Sequence, residues 1–204
     1  MPYKIQNITA QIIYKLYSDG NLDKAVLASA RSCAAITDRK AQKVWPIMLA
    51  SLDDNMLSRT GEPTYSETAI YSAIHFYAIY QQGKEVLVYG NSGSEVNDDG
   101  LQLFQTLANL RKRDETRIAL DRRVQAILGT TNITSLINGL THLIEILKSN
   151  YMSNNLQKID FAKLASDLYK FQLGYEYANE VRLIWGQQYF RTAVQSNKSE
   201  GDKE

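Results

Sequence analysis

The chain has 204 residues, of which 44% are hydrophobic and 22% are charged. This apolar content can bury a core as one large domain or as two closely packed helical halves, and it excludes a wholly disordered chain. The formal net charge is only +1, which argues against a protein that binds nucleic acid through its overall charge.

Helical periodicity dominates the sequence, and no alternating strand pattern extends beyond a few residues. The pattern predicts an all-α, compact multi-helix bundle of about eight to ten helices. In chain order, we expect helices at residues 9–17, 22–35, 39–44, 46–52, 64–83, 101–111, 115–128, 133–147, 161–172 and 176–194. Residues 1–195 are expected to form one helical domain. Residues 196–204 are expected to form a disordered polar tail, because they contain no large apolar side chain to offset the entropy of ordering.

Several local signals mark the ends of these helices. Thr64 and Glu67 have the spacing of a capping box, and Gly83 suits a left-handed helix end. Four aspartates stand where N-caps are expected: Asp38, Asp99, Asp114 and Asp160. The longest predicted loop covers residues 84–99, which are rich in Gly, Ser, Asn and Asp.

The sequence also bears on where the protein works. The first residues, MPYKIQNITAQ, lack the apolar core of a signal peptide, and no later window approaches the roughly 18 apolar residues of a membrane span. Cys33 is the only cysteine, so no internal disulfide can form, as is usual in a reducing compartment. We therefore expect a cytoplasmic protein with no membrane partner.

Residues with catalytic potential are few and scattered. His75 and His142 lie on different predicted helices, without the spacing of metal ligands around either. Cys33 lies in an Ala-rich run with no nearby base, which favours a buried packing role over that of a nucleophile. Tyr71, Tyr77 and Tyr80 have helical spacing and aliphatic neighbours, which favours packing over base stacking. The sequence predicts no catalytic residue, no metal and no cofactor.

Positive charge is concentrated in two segments. Residues 31–43 and 111–123 each carry a net +3, so the remainder of the chain carries −5. In the second segment, Leu120, Val124 and Ile127 would centre a buried helix face, with Arg122 pointing away and Arg117 and Arg123 flanking the apolar stripe. Such arginines can reach phosphates, although charge alone favours a solvated or salt-bridged face.

The order of several segments resembles a known family. They are ETAIYSAIHFYAIYQQGK, LFQTLANLR, ALDRRVQAIL, IDFAKLASDLY and VRLIWGQQYF, preceded by the Arg31 region and the Trp45-Pro46 pair. This order resembles the CasB family, the small subunit of type I-E CRISPR Cascade. The resemblance implies an all-helical, non-catalytic subunit that forms a pair of copies. It also implies contacts with other Cascade subunits of the guide-RNA-containing complex. In that complex the subunit is expected to stabilise opened target DNA, particularly the displaced strand. One departure is Leu140-Thr141-His142-Leu143, where relatives tend to carry arginines.

The candidate nucleic-acid-binding residues come from two sources. The resemblance implies Arg31, Lys84, Arg122 and Arg123, and charge clustering adds Arg39, Lys40, Lys43, Arg111, Arg113 and Arg117. An alternative is a purely structural helical adaptor that joins other subunits without touching nucleic acid. A small helical enzyme is the third possibility, but the sequence offers no ligand cluster for it, and no small-molecule substrate is expected.

Overall fold

The computed structural model describes residues 1–93, 98–151 and 155–198, with side chains described as far as residue 191. Nine α-helices run through this part of the chain, as the sequence predicts for an all-α bundle. They are α1 (Pro2–Tyr17), α2 (Lys24–Ser32), α3 (Trp45–Leu49), α4 (Tyr65–Gln81), α5 (Leu103–Arg111), α6 (Asp114–Gly129), α7 (Ile133–Asn150), α8 (Phe161–Phe171) and α9 (Tyr175–Lys198). Short 3-10 helices cover Ser18–Gly20, Arg39–Lys43 and Asp54–Met56.

Helix α4 is the centre of the bundle and packs against α1, α2, α7 and α8. Nearly all of its side chains are buried, including Tyr71, Tyr77 and Tyr80, so it has no solvent face of the kind that an amphipathic helix presents. The predicted capping box is confirmed, since the Thr64 hydroxyl accepts from the Glu67 amide and the Glu67 carboxylate accepts from the Thr64 amide. Just beyond the helix, Gly83 has the predicted left-handed conformation, with φ of 77°.

The remaining helices surround α4 in two groups. Helix α8 packs against α1 and α4, whereas α5 and α6 pack against α9 and against α7. Helix α7 has the predicted amphipathic character, with Leu136, Leu140 and Leu143 fully buried and Ser135 and His142 exposed. Because α7 touches both α4 and α6, and α8 touches both α4 and α9, these two helices hold the groups together.

Residue Ile159 joins three loop segments through backbone hydrogen bonds, which the sequence did not reveal. It forms isolated parallel bridges with Tyr89 and with Leu101, and its amide donates to the Val88 carbonyl oxygen at 3.0 Å. Next to it, buried Asp160 caps α8 and also accepts two hydrogen bonds from Ser92. The predicted loop at residues 84–99 is therefore pinned to the start of α8, although its residues 94–97 lie outside the described part of the chain.

Several predicted boundaries need correction. Helix α1 begins at Pro2 rather than at residue 9, because Ile5 and Ile8 are buried on the same face as Ile12 and the proline fits the first turn. Helix α2 ends at Ser32 rather than at residue 35, since Cys33 is extended. Helix α5 begins after Leu101, which is held in its bridge to Ile159.

Two of the four predicted N-caps are confirmed. The Asp38 carboxylate accepts from the Lys40 amide at 2.8 Å, and the Asp160 carboxylate accepts from the Lys163 amide at 2.7 Å. Asp99 and Asp114 are not N-caps, because Gln102 caps α5 and Arg113 precedes the first residue of α6. Helix α9 continues into the predicted polar tail as far as Lys198, and residues 199–204 of that tail lie outside the described residues.

Within the described ranges, no helix is both long enough and apolar enough to cross a membrane.

Candidate nucleic-acid interface

Helix α6 and its N-cap residue carry four exposed arginines, which we call the α6 arginine face: Arg113, Arg117, Arg122 and Arg123. As predicted, Leu120, Val124 and Ile127 form the buried stripe of this helix. The packing is close, since a Cβ added at Gly139 of α7 would lie 2.9 Å from the Ile127 side chain. The guanidiniums therefore project from a helix that is fixed in the bundle.

The α6 arginine face has few internal partners. None of its four arginines forms an ion pair with any carboxylate that the structure describes. Arg113 donates to the Asn150 side-chain oxygen at 3.1 Å, and Arg123 donates to the carbonyl oxygen of Ala119 at 3.3 Å. Hydrogen bonds to neutral oxygens leave the positive charges of Arg113 and Arg123 available to an anion, whereas the charge of Arg117 also contributes to lowering the pKa of Asp121.

Arg111 belongs to the same charged segment, but the structure gives it an internal role. Its guanidinium donates two hydrogen bonds to the Asp121 carboxylate, at 2.6 and 3.1 Å, and its side chain is only 11% exposed. The Tyr189 hydroxyl donates to the same carboxylate at 2.7 Å. These contacts join α5, α6 and α9, and the hydrogen bond to Asp121 raises the pKa of Arg111.

Arg31 and Lys84 are 53 positions apart in sequence but line one cleft of about 650 Å³. We call this the α2–α4 cleft, since it lies between α2 and the end of α4. Its lining residues are Gly20, Leu22, Lys24, Leu27, Arg31, Gln81, Gln82, Gly83, Lys84 and Glu85. Three of these side chains are cationic and one is acidic, so the cleft has a net positive lining.

The cations in the α2–α4 cleft are partly withdrawn from solvent. Burial lowers the pKa of Arg31. Lys84 is only 6% exposed, and its pKa falls to about 8 because of burial and, to a smaller extent, the nearby charge of Lys148. Lys148 lies in the last turn of α7, and its ammonium donates to the Gln82 side-chain oxygen at 2.7 Å. The sequence reasoning missed Lys148, whose only local signal is its place at the end of an amphipathic helix.

The remaining predicted basic residues, Arg39, Lys40 and Lys43, lie on the short 3-10 helix and are exposed. Asp38 caps this turn, and the Ser29 hydroxyl of α2 donates to the Lys40 carbonyl oxygen, so the turn is attached to α2. Arg31 lies near the end of the same helix. The turn and the cleft are therefore supported by one helix.

Of the residues considered for catalysis, Cys33 and His75 occupy buried packing positions. The Cys33 sulfur lies 3.1 Å from the buried Tyr71 hydroxyl, and that hydroxyl donates to the Cys33 carbonyl oxygen at 3.0 Å. His75 is buried with its Nδ1 2.7 Å from the Ala30 carbonyl oxygen, and burial lowers its pKa. His142 is exposed beside Glu145, with 3.3 Å between the Nδ1 and a carboxylate oxygen. In the part of the chain that the structure describes, no three His, Cys, Asp or Glu residues form a group that could hold a metal ion.

These features define an all-helical bundle with segregated basic surface, and comparisons with known proteins agree with that class. A family model described as "CRISPR-associated protein Cse2" matches residues 26–190. The crystal structure of CasB from Thermobifida fusca has the same fold, with a TM-score of 0.65 at 21% identity over 91% of this chain and 97% of that chain. Among curated proteins, none matches the chain significantly.

Because the family match covers most of the sequence, the chain belongs to the Cse2 family, also called CasB. Proteins of this family are structural subunits of the CRISPR Cascade complex. The resemblance drawn from the order of the sequence segments is confirmed at this level.

Proposed function

We propose that this chain is a non-catalytic subunit of a type I-E Cascade complex that stabilises opened target DNA. In this role, its basic side chains contact backbone phosphates of the displaced strand while the guide RNA pairs with the other strand. Its partners are other Cascade subunits, the guide RNA within that complex, target DNA and a second copy of itself, and its compartment is the cytoplasm.

The observation that carries this proposal is the unpaired state of the α6 arginine face. Four exposed guanidiniums lie within residues 113–123, and none of them forms an ion pair with a carboxylate that the structure describes. The exposed acids of this helix, Asp114 and Glu115, lie in its first turn, and Asp121 pairs internally with Arg111, so Arg122 and Arg123 present positive charge in the later turns. Backbone phosphates are a ligand that matches this local positive charge.

The energetics of strand exchange make these contacts sufficient for function. An RNA–DNA duplex of guide length is about as stable as the DNA duplex that it replaces, so a few phosphate contacts on the displaced strand can favour the open state. Contacts to phosphate carry no sequence information, which suits a complex in which the guide reads the sequence. No active site is required of this subunit.

A structural adaptor without nucleic-acid contact is the second candidate function. Helix α9 exposes Tyr175, Leu183 and Ile184, which are 71%, 65% and 41% exposed, and these apolar side chains suit contact with another protein. Both functions can coexist, because the apolar side chains and the α6 arginine face use different residues. The charge-reversal experiment below separates them.

The test is the pair of substitutions Arg122→Glu and Arg123→Glu in a Cascade complex assembled with the variant subunit. We expect target binding to weaken on the order of tenfold or more, because two phosphate contacts become repulsive. Opening of the displaced strand is measured by the reactivity of its unpaired thymines toward permanganate, and complex assembly is measured by gel filtration.

The matched control reverses two exposed cations elsewhere, Lys15→Glu and Arg59→Glu, which changes the net charge equally. Target binding by the control should stay close to that of the unmodified complex. If the Arg122 and Arg123 changes leave binding and strand opening intact while assembly remains normal, the adaptor function is the better account.

A further inference from the structure

Lys84 is a buried cation whose hydrogen-bonding capacity is only partly used. Its ammonium donates to the Tyr80 carbonyl oxygen at 2.6 Å and lies 4.0 Å from the centroid of the Tyr80 ring. An ammonium has three N–H donors, and the described residues supply one hydrogen-bond acceptor. No described carboxylate forms an ion pair with Lys84, although Glu85 also lines the cleft.

The backbone around Lys84 is held in place by a buried glutamine. The Gln81 side-chain nitrogen donates to the carbonyl oxygens of Lys84 and Val86, at 2.8 and 2.9 Å. The Gln81 side-chain oxygen accepts from the Val88 amide at 3.2 Å. Gln81 is 2% exposed, so these three hydrogen bonds fix the segment that presents Lys84 to the cleft.

A second lysine approaches the same place from α7. Lys148 reaches over the turn at the end of α4 to Gln82, and its charge contributes to lowering the pKa of Lys84. Two like charges brought together without an intervening carboxylate disfavour each other, and burial of one of them adds to that cost. An anion between them would offset the repulsion and favour the charged form of the buried lysine.

We propose that the α2–α4 cleft is a binding site for a single phosphate group, with Arg31 and Lys84 lining it and Lys148 as a third cationic contact at its rim. This inference rests on the proposed function and deepens it, since a phosphate of a nucleic-acid strand is the expected source of the group. The site differs from the α6 arginine face in being recessed and in using cations from three helical regions.

The site has a pH dependence that the α6 arginine face lacks. The charged and titratable groups around Lys84 are of three kinds. Lys24, Arg31 and Glu85 line the cleft with it, its ammonium contacts Tyr80, and the charge of Lys148 from α7 contributes to lowering its pKa. A bound phosphate favours the ammonium form of Lys84 and so raises its pKa. By linkage, the affinity for phosphate is then highest below about pH 8 and falls as the pH rises through the pKa of the free protein.

The direct measurement is the pKa of Lys84, followed by NMR of the full chain carrying 13C-labelled lysine, with the Lys84 signal assigned by its loss in Lys84→Arg. The titration is recorded without ligand, with inorganic phosphate and with a short single-stranded oligothymidine. We expect each phosphate source to raise the pKa by about one unit, which corresponds to roughly tenfold weaker binding at high pH than at low pH.

Variants at Lys148 and Lys15 identify the third contact. Lys148→Gln should raise the pKa of Lys84 in the free protein, because a neighbouring positive charge is removed, and it should weaken phosphate binding several-fold. Lys15→Gln on α1 removes the same charge outside the cleft and should change neither quantity. A Lys148→Gln variant that binds phosphate as the unmodified protein does would overturn the role of Lys148.

The two ligands separate the possible outcomes. A Lys84 pKa that moves with neither ligand overturns the site. A pKa that moves with inorganic phosphate alone retains a phosphate site but overturns a nucleic-acid strand as its source. Failure of the proposed function is recognised separately, by Cascade binding that is insensitive to Arg122 and Arg123 while the Lys84 pKa still responds to phosphate.

Discussion

The α6 arginine face and the α2–α4 cleft hold positive charge in different ways. In the α6 arginine face, the exposed guanidiniums belong to one helix and its N-cap residue, and their spacing is set locally by helical geometry. In the cleft, Lys84 is 6% exposed, and the cations around it come from α2, the end of α4 and α7. The first arrangement suits many interchangeable phosphate contacts, whereas the second suits one phosphate in a fixed position.

The largest expected difference between the two regions is in salt dependence. Replacing Arg117, Arg122 and Arg123 together by glutamine should make the dependence of binding on salt shallower. The slope of the logarithm of the association constant for single-stranded DNA against the logarithm of salt concentration should change by about 2, and affinity should fall on the order of 10- to 100-fold. Lys84→Gln should change that slope by only about 0.7, because one phosphate contact is lost. The measurement is fluorescence anisotropy of a labelled oligonucleotide across a salt series.

A control with equal loss of charge decides whether the slope reports local contacts. Glutamine replaces Lys15, Arg59 and Arg191, three exposed cations outside both regions. If this control shifts the slope as much as the α6 variant does, binding follows net charge and the comparison between the regions fails.

The second prediction concerns the anchoring of α6. Asp121→Asn leaves the partly buried Arg111 guanidinium without its ionic partner, which should lower the free energy of unfolding by about 2 kcal/mol in urea denaturation. Burial by itself raises the pKa of Asp121, but hydrogen bonds from Arg111 and Tyr189 outweigh it, and the pKa is lowered overall. The stabilising contribution is therefore present above about pH 3.9 and is lost as the pH falls through the lower folded-state value.

The same variant sharpens the distinction between Arg111 and its exposed neighbours. If Arg111 has a structural role, Asp121→Asn should reduce stability while the salt slope of DNA binding changes little. An unchanged unfolding free energy together with a changed slope would instead place Arg111 among the phosphate contacts.

The third prediction is that the buried charge of Lys84 lowers the stability of the folded protein, whereas the ion pair of Arg111 raises it. Lys84→Met keeps the apolar stem and removes a buried charge, so the melting temperature at pH 7 should rise by about 2–6 °C. The unmodified protein should become more stable as pH rises from about 8 toward 10.5, because the unfolded chain holds the Lys84 proton over that range and the folded chain does not. A drop in melting temperature for Lys84→Met, measured by calorimetry, would assign Lys84 to the scaffold.

Sequence reasoning succeeded where structure is set locally and failed where distant segments meet. The α7 apolar face and the Thr64 capping box depend on residues within a few turns of each other, and both are confirmed. Burial of α4 on all sides depends on four neighbouring helices, which the spacing of its own residues does not encode.

The candidate site divides in the same way. The exposure of Arg122 and Arg123 follows from the buried stripe of their own helix. The internal pairing of Arg111 and the approach of Lys148 to Lys84 depend on contacts between elements. The basic residues of the site other than Lys148 could be identified from the sequence, but whether each has an internal partner could be decided only once the helices were packed.

The smallest expected effect lies at the edge of the α6 arginine face. Arg123, His142 and Glu145 line one shallow groove between α6 and α7, and Glu145 is the acid among them. Its pair with His142 is between exposed side chains, 70% and 55% exposed, and contributes little to stability.

Glu145→Gln should therefore leave the unfolding free energy unchanged and strengthen DNA binding about twofold at low salt, because a negative charge near the phosphates is removed. The gain should disappear near 1 M salt, where the screening length is only about 3 Å. A twofold gain that persists at high salt would mean that Glu145 acts through packing, and the groove would then belong to the scaffold rather than to the α6 arginine face.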